Sequence, residues 1–278
     1  MTTRQTVGGR EPAVFPPSAS LDPSVAHPAR MYDYFLGGKD HLPADRVAAE
    51  AVVAASPDVP LVAHANRYFM TRAARFLASE CGIRQYLDVG TGFPTSPNLH
   101  EVVQAVDPAS RVVYSDNNPV VLVHARALLT STAEGRTAYL DADLRDPALI
   151  LDAAQLRDAL DFRQPIALFL VAVLHFLTDD DDAHARVRSL VDALPSGSYL
   201  VVSHATGDLA PSNVDTIVDT YATTAVPLVL RDLAAVTRFF DGTDVVDPGV
   251  VRLPLWKPDT PPEDIHKVWL YGGVGRKS

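Results

Sequence analysis

The chain has 278 residues, of which 47% are hydrophobic and 21% are charged, and its formal net charge is −10. This composition is typical of a globular protein with a buried core. The acidic balance argues against a nucleic acid as partner, because affinity for phosphates comes from clustered Lys and Arg. Cys81 is the only cysteine, which excludes an internal disulfide and a cysteine-rich zinc site. We expect no bound metal.

Residues 1–20 are rich in Pro and polar side chains, and we predict a flexible tail there. No basic and apolar leader opens the chain. The longest apolar run, Ile166–Leu177, is too short to cross a bilayer. We therefore expect a cytoplasmic protein without a membrane partner.

Residues 21–82 have the apolar spacing of helices and no strand candidate, and we predict that they form a helical cover. Helices ahead of the first nucleotide-binding strand commonly lie over the carboxyl ends of the strands, where the ligand binds. A glycine-rich loop, Leu36–Pro43, is either a gate over that site or a plain surface loop. The predicted helices are Val25–Leu36, interrupted by Pro28, then Ala44–Ala55 and Leu61–Cys81.

Strand and helix patterns alternate through residues 83–278, which is typical of an α/β domain with a mostly parallel sheet and helices on both faces. The predicted strands, seven in all, are Gln85–Val89, Arg111–Ser115, Thr137–Asp141, Ile166–Val173, Ser198–Ser203, Val250–Leu253 and Lys267–Leu270. The predicted helices are Ser96–Ala105, Pro119–Leu129, Pro147–Ala153, Asp181–Ala193, Asn213–Ala222 and Leu230–Phe240.

The first strand of this domain runs into a glycine turn, Gly90-Thr91-Gly92. Glycine lets the backbone approach a ligand where a Cβ would intrude. About 24 residues past Gly92, the second strand ends in Asp116, whose carboxylate could accept hydrogen bonds from ribose hydroxyls. The pair predicts a dinucleotide or adenosyl site, with an ordinary strand–turn–helix junction as the alternative.

The residues around the turn distinguish a dinucleotide site from an adenosyl site. A nicotinamide or flavin site requires a third small residue in the turn, and Thr95 occupies that position after Pro94. Asp88 instead precedes the glycines, as the acid does in motif I of class I S-adenosylmethionine (SAM) methyltransferases. This favours SAM over NAD, and a nicotinamide oxidoreductase remains an alternative.

Further segments carry a resemblance to a family. They are Arg30-x-Tyr32-Asp33-Tyr34-x-Leu36-Gly37-Gly38-Lys39-Asp40, Asn66-Arg67-Tyr68-Phe69, Leu87-Asp88-Val89-Gly90-Thr91-Gly92-x-Pro94-Thr95, Asp116-Asn117-Asn118-Pro119, Ala142-Asp143-Leu144-Arg145-Asp146-Pro147, Leu174-His175-Phe176 and Ser203-His204-Ala205. Together they resemble the SAM-dependent methyltransferases abundant in actinobacteria, a family long catalogued only as a domain of unknown function. The likeness covers nearly all of the chain after about residue 22, and it implies a class I methyltransferase, Rossmann-like fold that binds SAM.

The resemblance also implies roles for residues at the sheet edge. The methionine part of SAM would lie on Gly90, Thr91 and Gly92, with Asp88 beside its ammonium group. The adenosine part would contact the residues that follow the second and third strands, namely Asp116 and Asn117, then Asp143 and Leu144. For Asp143, a helix N-cap before Pro147 is the alternative.

Basic and aromatic residues of the cover are further candidates. Lys39, Arg67 and Arg30 could meet the SAM carboxylate, although a solvated arginine is an equal alternative for Arg67. Tyr34, with Tyr32, could enclose the sulfonium or simply pack in the cover.

Two histidines, His175 and His204, end the fourth and fifth predicted strands, and either could serve as a general base. Methyl transfer depends largely on alignment and exclusion of water, so a structural role is at least as strong an alternative for each. The acidic run Asp179–Asp182 is expected to be the solvated first turn of the next helix.

We therefore expect a SAM-dependent methyltransferase that moves a methyl group to an O or N atom of a small molecule by in-line displacement. A non-catalytic SAM-binding sensor or assembly protein is the alternative, because binding motifs do not prove turnover. The acceptor and the oligomeric state are left open by the sequence.

Overall fold

The computed structural model describes residues 22–209 and 211–278. The tail predicted for residues 1–20 lies outside the described residues. In the part that is described, no helix is long and apolar enough to cross a membrane.

A mixed sheet of eight strands forms the centre of the fold, in the order β3-β2-β1-β4-β5-β8-β6, with β7 paired to β8. Neighbouring strands among β1–β5 are parallel, whereas β8 is antiparallel to β5, β6 and β7. The predicted α/β class, with a mostly parallel sheet, is confirmed. The strands are β1 Gln85–Val89, β2 Arg111–Asp116, β3 Arg136–Asp141, β4 Ala167–Val171, β5 Tyr199–Ala205, β6 Thr243–Val245, β7 Val251–Arg252 and β8 Leu270–Lys277.

The end of the chain departs from the prediction of seven strands. The last strand is Leu270–Lys277 and not Lys267–Leu270, and Thr243–Val245 is an additional strand. The segment after Leu270 is rich in glycine and lacks the alternating side chains that predict a strand. Glycine is required there by tertiary packing, since a Cβ on Gly272 would lie 2.9 Å from the carbonyl oxygen of Val202 on β5 and would also meet the Leu253 side chain.

The helices lie on both faces of the sheet, and several start at a proline. Proline at the first helical position loses no hydrogen bond, which is why α1 begins at Pro28 and not at Val25. The predicted helix Leu230–Phe240 is a short helix followed by a 3₁₀ turn, Arg238–Phe240. The helices are α1 Pro28–Phe35, α2 Pro43–Ala55, α3 Val59–Ser79, α4 Leu99–Val106, α5 Pro119–Leu128, α6 Pro147–Asp152, α7 Ala154–Ala159, α8 Ala183–Ala193, α9 Val214–Ala222 and α10 Leu233–Thr237.

Alternating residues of the strands supply two hydrophobic cores, one on each face of the sheet. Tyr86 and Phe169 face the core shared with α1–α4 and α9. Their neighbours Leu87 and Leu168 face the core shared with α6–α8. All four are fully buried, as expected for parallel strands covered on both faces.

A buried carboxylate links the first two helices of the N-terminal cover, which comprises α1–α3. Asp45 on α2 accepts hydrogen bonds from the backbone N–H groups of His27, at 2.8 Å, and Leu42, at 2.7 Å. Its other partner is Arg30 on α1, at 2.6 Å, and both side chains are almost fully buried. The start of α1 and the start of α2 are therefore held at one point.

Candidate functional site

A cavity opens at the carboxyl ends of β1, β2 and β4 and extends beneath the N-terminal cover and α9. We distinguish two parts of its lining. The polar half follows the strands and comprises Asp88, Gly90, Gly92, Asp116, Asn117 and Asp143. The apolar half lies under the cover and includes Tyr32, Phe35, Met70, Phe176, Tyr221 and Trp269.

The turn after β1 requires glycine for two different reasons. Gly90 has φ +75°, and a Cβ there would run into the side chain of Val173. Gly92 has φ +66°, but no atom lies within 4 Å of where its Cβ would be. Left-handed backbone favours glycine at both positions, and at Gly92 the absent Cβ leaves open space.

Asp116, at the end of β2, is fixed against this turn. One carboxylate oxygen accepts the Gly92 N–H at 2.9 Å, and the other accepts the Asn118 N–H at 2.9 Å. Burial raises the pKa of Asp116 to about 6, against the lowering effect of these two hydrogen bonds. Each oxygen keeps a second lone pair for a ligand hydroxyl.

Asp88 and Arg67 are charged groups that lie near the same turn. Burial raises the pKa of Asp88 to about 7, although the nearby Arg67 guanidinium lowers it. Arg67, on α3, donates to the carbonyl oxygens of Thr95 at 2.6 Å and Pro97 at 2.7 Å. The cover and the turn after β1 are thus joined by the arginine, and both charged groups line the cavity.

Asn117 and Asp143 meet at the far end of the polar half. The Asn117 amide donates to the Asp143 carboxylate at 2.8 Å. Arg145, which sequence reasoning did not single out, also pairs with Asp143 at 3.2 Å. The N-cap of α6 is Asp146, not Asp143, so the alternative role considered for Asp143 is wrong. Leu144 is buried and lines the cavity beside it.

His175 lines the cavity, but its hydrogen bonding does not suit a base. Nδ1 accepts the Ala205 N–H at 3.2 Å, so the proton of the neutral imidazole is on Nε2. Burial lowers the pKa of His175 to about 3, and the charge of Arg231 contributes to the lowering. In this state the ring offers a hydrogen-bond donor to the cavity and not a proton acceptor.

His204 is fully buried and is absent from the cavity lining. Its Nδ1 donates to the Ala205 carbonyl oxygen at 2.6 Å, and its Nε2 accepts from Arg231 at 3.0 Å. Burial keeps its pKa well below the usual value. Both nitrogens are therefore occupied by a structural link between β5 and the segment before α10.

Three candidates from the cover lie away from the cavity. Lys39 is exposed, and Tyr34 packs edge-to-face on His41, with ring centroids 5.2 Å apart. Arg30 is held by Asp45. The carboxylate of Asp33 accepts the Asp40 N–H at 2.9 Å, which folds the glycine loop back on α1. Whether that loop acts as a gate stays a prediction.

Polar groups of the cover that do reach the cavity are satisfied by one another. Asn66 donates to the Tyr32 hydroxyl at 2.8 Å and accepts from the Ser203 hydroxyl at 2.6 Å. The Tyr32 hydroxyl donates to the Ala63 carbonyl oxygen at 3.0 Å. This network ties α1 and α3 to β5 beneath the cover.

The acidic run after β4 is a capped turn. Asp181 accepts from the backbone and hydroxyl of Thr178, at 2.7 and 2.9 Å, and pairs with Arg145 at 3.1 Å. Within residues 22–209 and 211–278, no group of three or more His, Cys, Asp or Glu residues could hold a metal ion.

Comparisons with known proteins identify the family. The model of a family described as S-adenosyl methyltransferase matches residues 16–278. A crystal structure of a DUF574 family protein from Streptomyces avermitilis is 50% identical, covers 92% of this chain and 99% of that chain, and superposes with a TM-score of 0.90. A proposed methyltransferase from Thermobifida fusca is 37% identical, with coverages of 92% and 96% and a TM-score of 0.85.

An O-methyltransferase family protein from Burkholderia thailandensis shares the fold at 14% identity and a TM-score of 0.51, covering 85% of this chain and 60% of that chain. No curated protein matched. The predicted family and cofactor are confirmed: SAM is the cofactor, and the chain belongs to the S-adenosyl methyltransferase family.

Proposed function

We propose that the protein transfers a methyl group from SAM to an O or N atom of a small molecule by in-line displacement. One observation carries this proposal: the polar half and the apolar half form one continuous cavity beneath the cover. A cofactor on the polar half and an acceptor in the apolar half would therefore share one enclosed space.

The polar half has the chemistry that SAM requires. The Asp116 carboxylate, with a free lone pair on each oxygen, suits the two ribose hydroxyls. The Asp88 carboxylate suits the ammonium group, and Arg67 suits the carboxylate. Asn117 and Asp143 would meet the polar edge of adenine, while Leu144 would pack against the ring.

When bound, SAM supplies a methyl group on a sulfonium, which an acceptor lone pair takes as the C–S electron pair returns to sulfur. The residues of this chain contribute alignment and exclusion of water, because the cover closes over the strand ends. His175 and His204 do not serve as bases in the hydrogen-bonding state described above. An acceptor O–H or N–H would therefore release its proton to solvent when the product leaves the site.

Enclosure favours a small acceptor over a macromolecule. The apolar half is roofed by α1–α3 and α9, and most of its side chains are buried. A nucleic acid would need an open basic surface, whereas the chain carries a net charge of −10.

The test is incubation with SAM that carries a labelled methyl group and a whole bacterial extract, whose small-molecule, protein and nucleic-acid fractions are then separated. We expect label in at least one low-molecular-weight product, and Asp116→Ala serves as the inactive control. Tight SAM binding without label transfer to any fraction would favour the alternative, a non-catalytic SAM-binding sensor or assembly protein. Label in a protein or nucleic-acid fraction alone would contradict a small-molecule acceptor.

A further inference from the structure

The apolar half of the cavity combines two properties. The first is the absence of charge. Among the described residues of the cover, Arg67 is the only lining side chain with a permanent charge. It donates to the carbonyl oxygens of Thr95 and Pro97 at the turn after β1, and in the proposed function it would meet the SAM carboxylate. His27 also lines the cavity, but burial lowers its pKa to about 4. A charged ligand group would lose its hydration here without gaining a counter-ion.

The second property is an aromatic lining. Tyr32, Phe35, Phe176, Tyr221 and Trp269 all line the apolar half. The Phe176 ring lies 4.5 Å from the His175 ring and 5.9 Å from the Tyr221 ring, centroid to centroid. Aromatic side chains favour offset or edge-to-face contact with a further aromatic ring, so the lining suits a flat aromatic ligand better than a saturated one.

Two polar groups in this lining have no hydrogen-bond partner among residues 22–209 and 211–278. They are the Nε2–H of His175 and the hydroxyl of Tyr221, and both side chains are more than nine-tenths buried. Buried polar groups are rarely left unpaired in folded proteins. A donor and a hydroxyl in an apolar space suit a ligand that brings an oxygen or nitrogen acceptor.

We propose that the methyl acceptor is an uncharged, planar aromatic compound whose hydroxyl or carbonyl oxygen meets Tyr221 and His175. This inference rests on the proposed function and specifies its substrate class. The ring would lie among the five aromatic side chains, and its polar group would satisfy donors that are otherwise unpaired. Carboxylates, phosphates and amines in their charged forms are disfavoured, because the apolar half offers them no counter-ion.

Calorimetric titration of the full chain, saturated with S-adenosylhomocysteine, tests this substrate class with three probes that share one fused bicyclic carbon skeleton. They are 2-naphthol, the charged 2-naphthoate and the saturated decahydro-2-naphthol. We expect 2-naphthol to bind at least tenfold more tightly than either of the others. Equal or tighter binding of 2-naphthoate or of decahydro-2-naphthol, or no binding of 2-naphthol, would overturn the inference.

Failure of the inference is distinguishable from failure of the proposed function. The titration of S-adenosylhomocysteine itself is recorded first. A protein that binds S-adenosylhomocysteine but not 2-naphthol refutes the acceptor class alone. A protein that does not bind S-adenosylhomocysteine refutes the proposed function as well.

Tyr221→Phe tests the polar contact by removing one hydroxyl. We expect 2-naphthol to bind about three- to tenfold more weakly, with no change for naphthalene, which has no oxygen. The matched control is Tyr68→Phe, since Tyr68 is 63% exposed and does not line the cavity. Unchanged affinity of Tyr221→Phe for 2-naphthol, in a variant with the parent melting temperature, would remove Tyr221 from the contact.

Discussion

The carboxylate of Asp116 accepts a hydrogen bond from the backbone N–H of Gly92 at 2.9 Å. This bond joins the end of β2 to the turn after β1, so the two parts of the nucleotide-binding pattern contact each other directly. The residue that would bind the ribose also stabilises the turn that would receive the methionine part. Its loss should affect both the affinity and the shape of the site.

Asp116→Ala should weaken binding of S-adenosylhomocysteine by about 10- to 150-fold, because a hydrogen bond to a charged group contributes about 1.5–3 kcal/mol. Calorimetric titration measures the change. The matched control is Asp141→Ala. Asp141 on β3 is the register partner of Asp116 on β2, but it does not line the cavity. An unchanged affinity of Asp116→Ala would remove the residue from the site.

The raised pKa of Asp88 predicts opposite pH dependences for stability and for binding. The carboxyl group is protonated below about pH 7 in the folded protein, but only below about pH 4 in the unfolded chain. Between these values the folded state holds the extra proton, so the free energy of unfolding without cofactor should decrease as the pH rises. Binding of the ammonium group should strengthen over the same range, because it needs the ionised carboxylate.

Asp88→Asn tests both effects in one variant. Without cofactor it should be more stable than the parent at pH 8, by about 1–2 kcal/mol, because a buried charge is removed. Its affinity for S-adenosylhomocysteine should be lower, and the rise of the affinity between about pH 6 and pH 8 should be smaller than in the parent, because only Asp116, with a pKa of about 6, still titrates there. Urea denaturation and calorimetry provide the two measurements. A variant with the same pH slope of binding as the parent would place the titrating group elsewhere.

The two glycines of the turn should respond differently to alanine. Both adopt positive φ, so either substitution costs about 1–2 kcal/mol of backbone strain. Gly90→Ala should lose about 1–3 kcal/mol more, because its Cβ would collide with Val173. Gly92→Ala should cost less stability, since space is open there. Urea denaturation compares the two variants, and equal losses would contradict a collision with Val173.

Breaking the Arg30–Asp45 pair should destabilise the protein strongly. Arg30→Met should lower the free energy of unfolding by about 3–5 kcal/mol, because it leaves the buried Asp45 carboxylate without a counter-ion. Adding Asp45→Asn should recover part of the loss, since the amide oxygen can still accept a hydrogen bond and the charge is gone. Denaturant titration of the single and double variants measures the recovery.

The control for this pair is Arg75→Met, which removes an exposed ion pair with Asp259. A pair in solvent contributes little, so the change should stay within about 0.5 kcal/mol. If Arg30→Met were as mild as Arg75→Met, the cover would not depend on its buried pair.

The sheet shows which elements can be predicted from local sequence. The bounds of β1 agree with the prediction residue for residue, and those of β2 differ by one residue, because both are apolar runs that end in a turn or a polar residue. The prediction of the last strand is wrong because its glycines are required by β5 and by Leu253, which are distant in the chain. The local sequence around these glycines does not show that packing constraint.

Some features of the candidate site can likewise be predicted from local sequence, and others cannot. The glycine turn and Asp116 are recognisable from spacing, since the chain supplies both ends of the motif in neighbouring strands. The roles of the histidines cannot be recognised from spacing. The Ala205 N–H determines which nitrogen of His175 carries the proton. Both nitrogens of His204 are occupied by partners that only folding brings together. The position of Arg67 against the turn likewise depends on how α3 crosses the sheet.

The sequence by itself determined the family, the α/β class and the cofactor, because those depend on short motifs and on the alternation of strands and helices. Only the tertiary structure decided which charged groups face the cavity, which proton each histidine carries and how the cover closes. The physical reason is that pKa values and hydrogen-bond partners depend on burial and on neighbours distant in sequence, whereas a glycine turn depends on its own backbone.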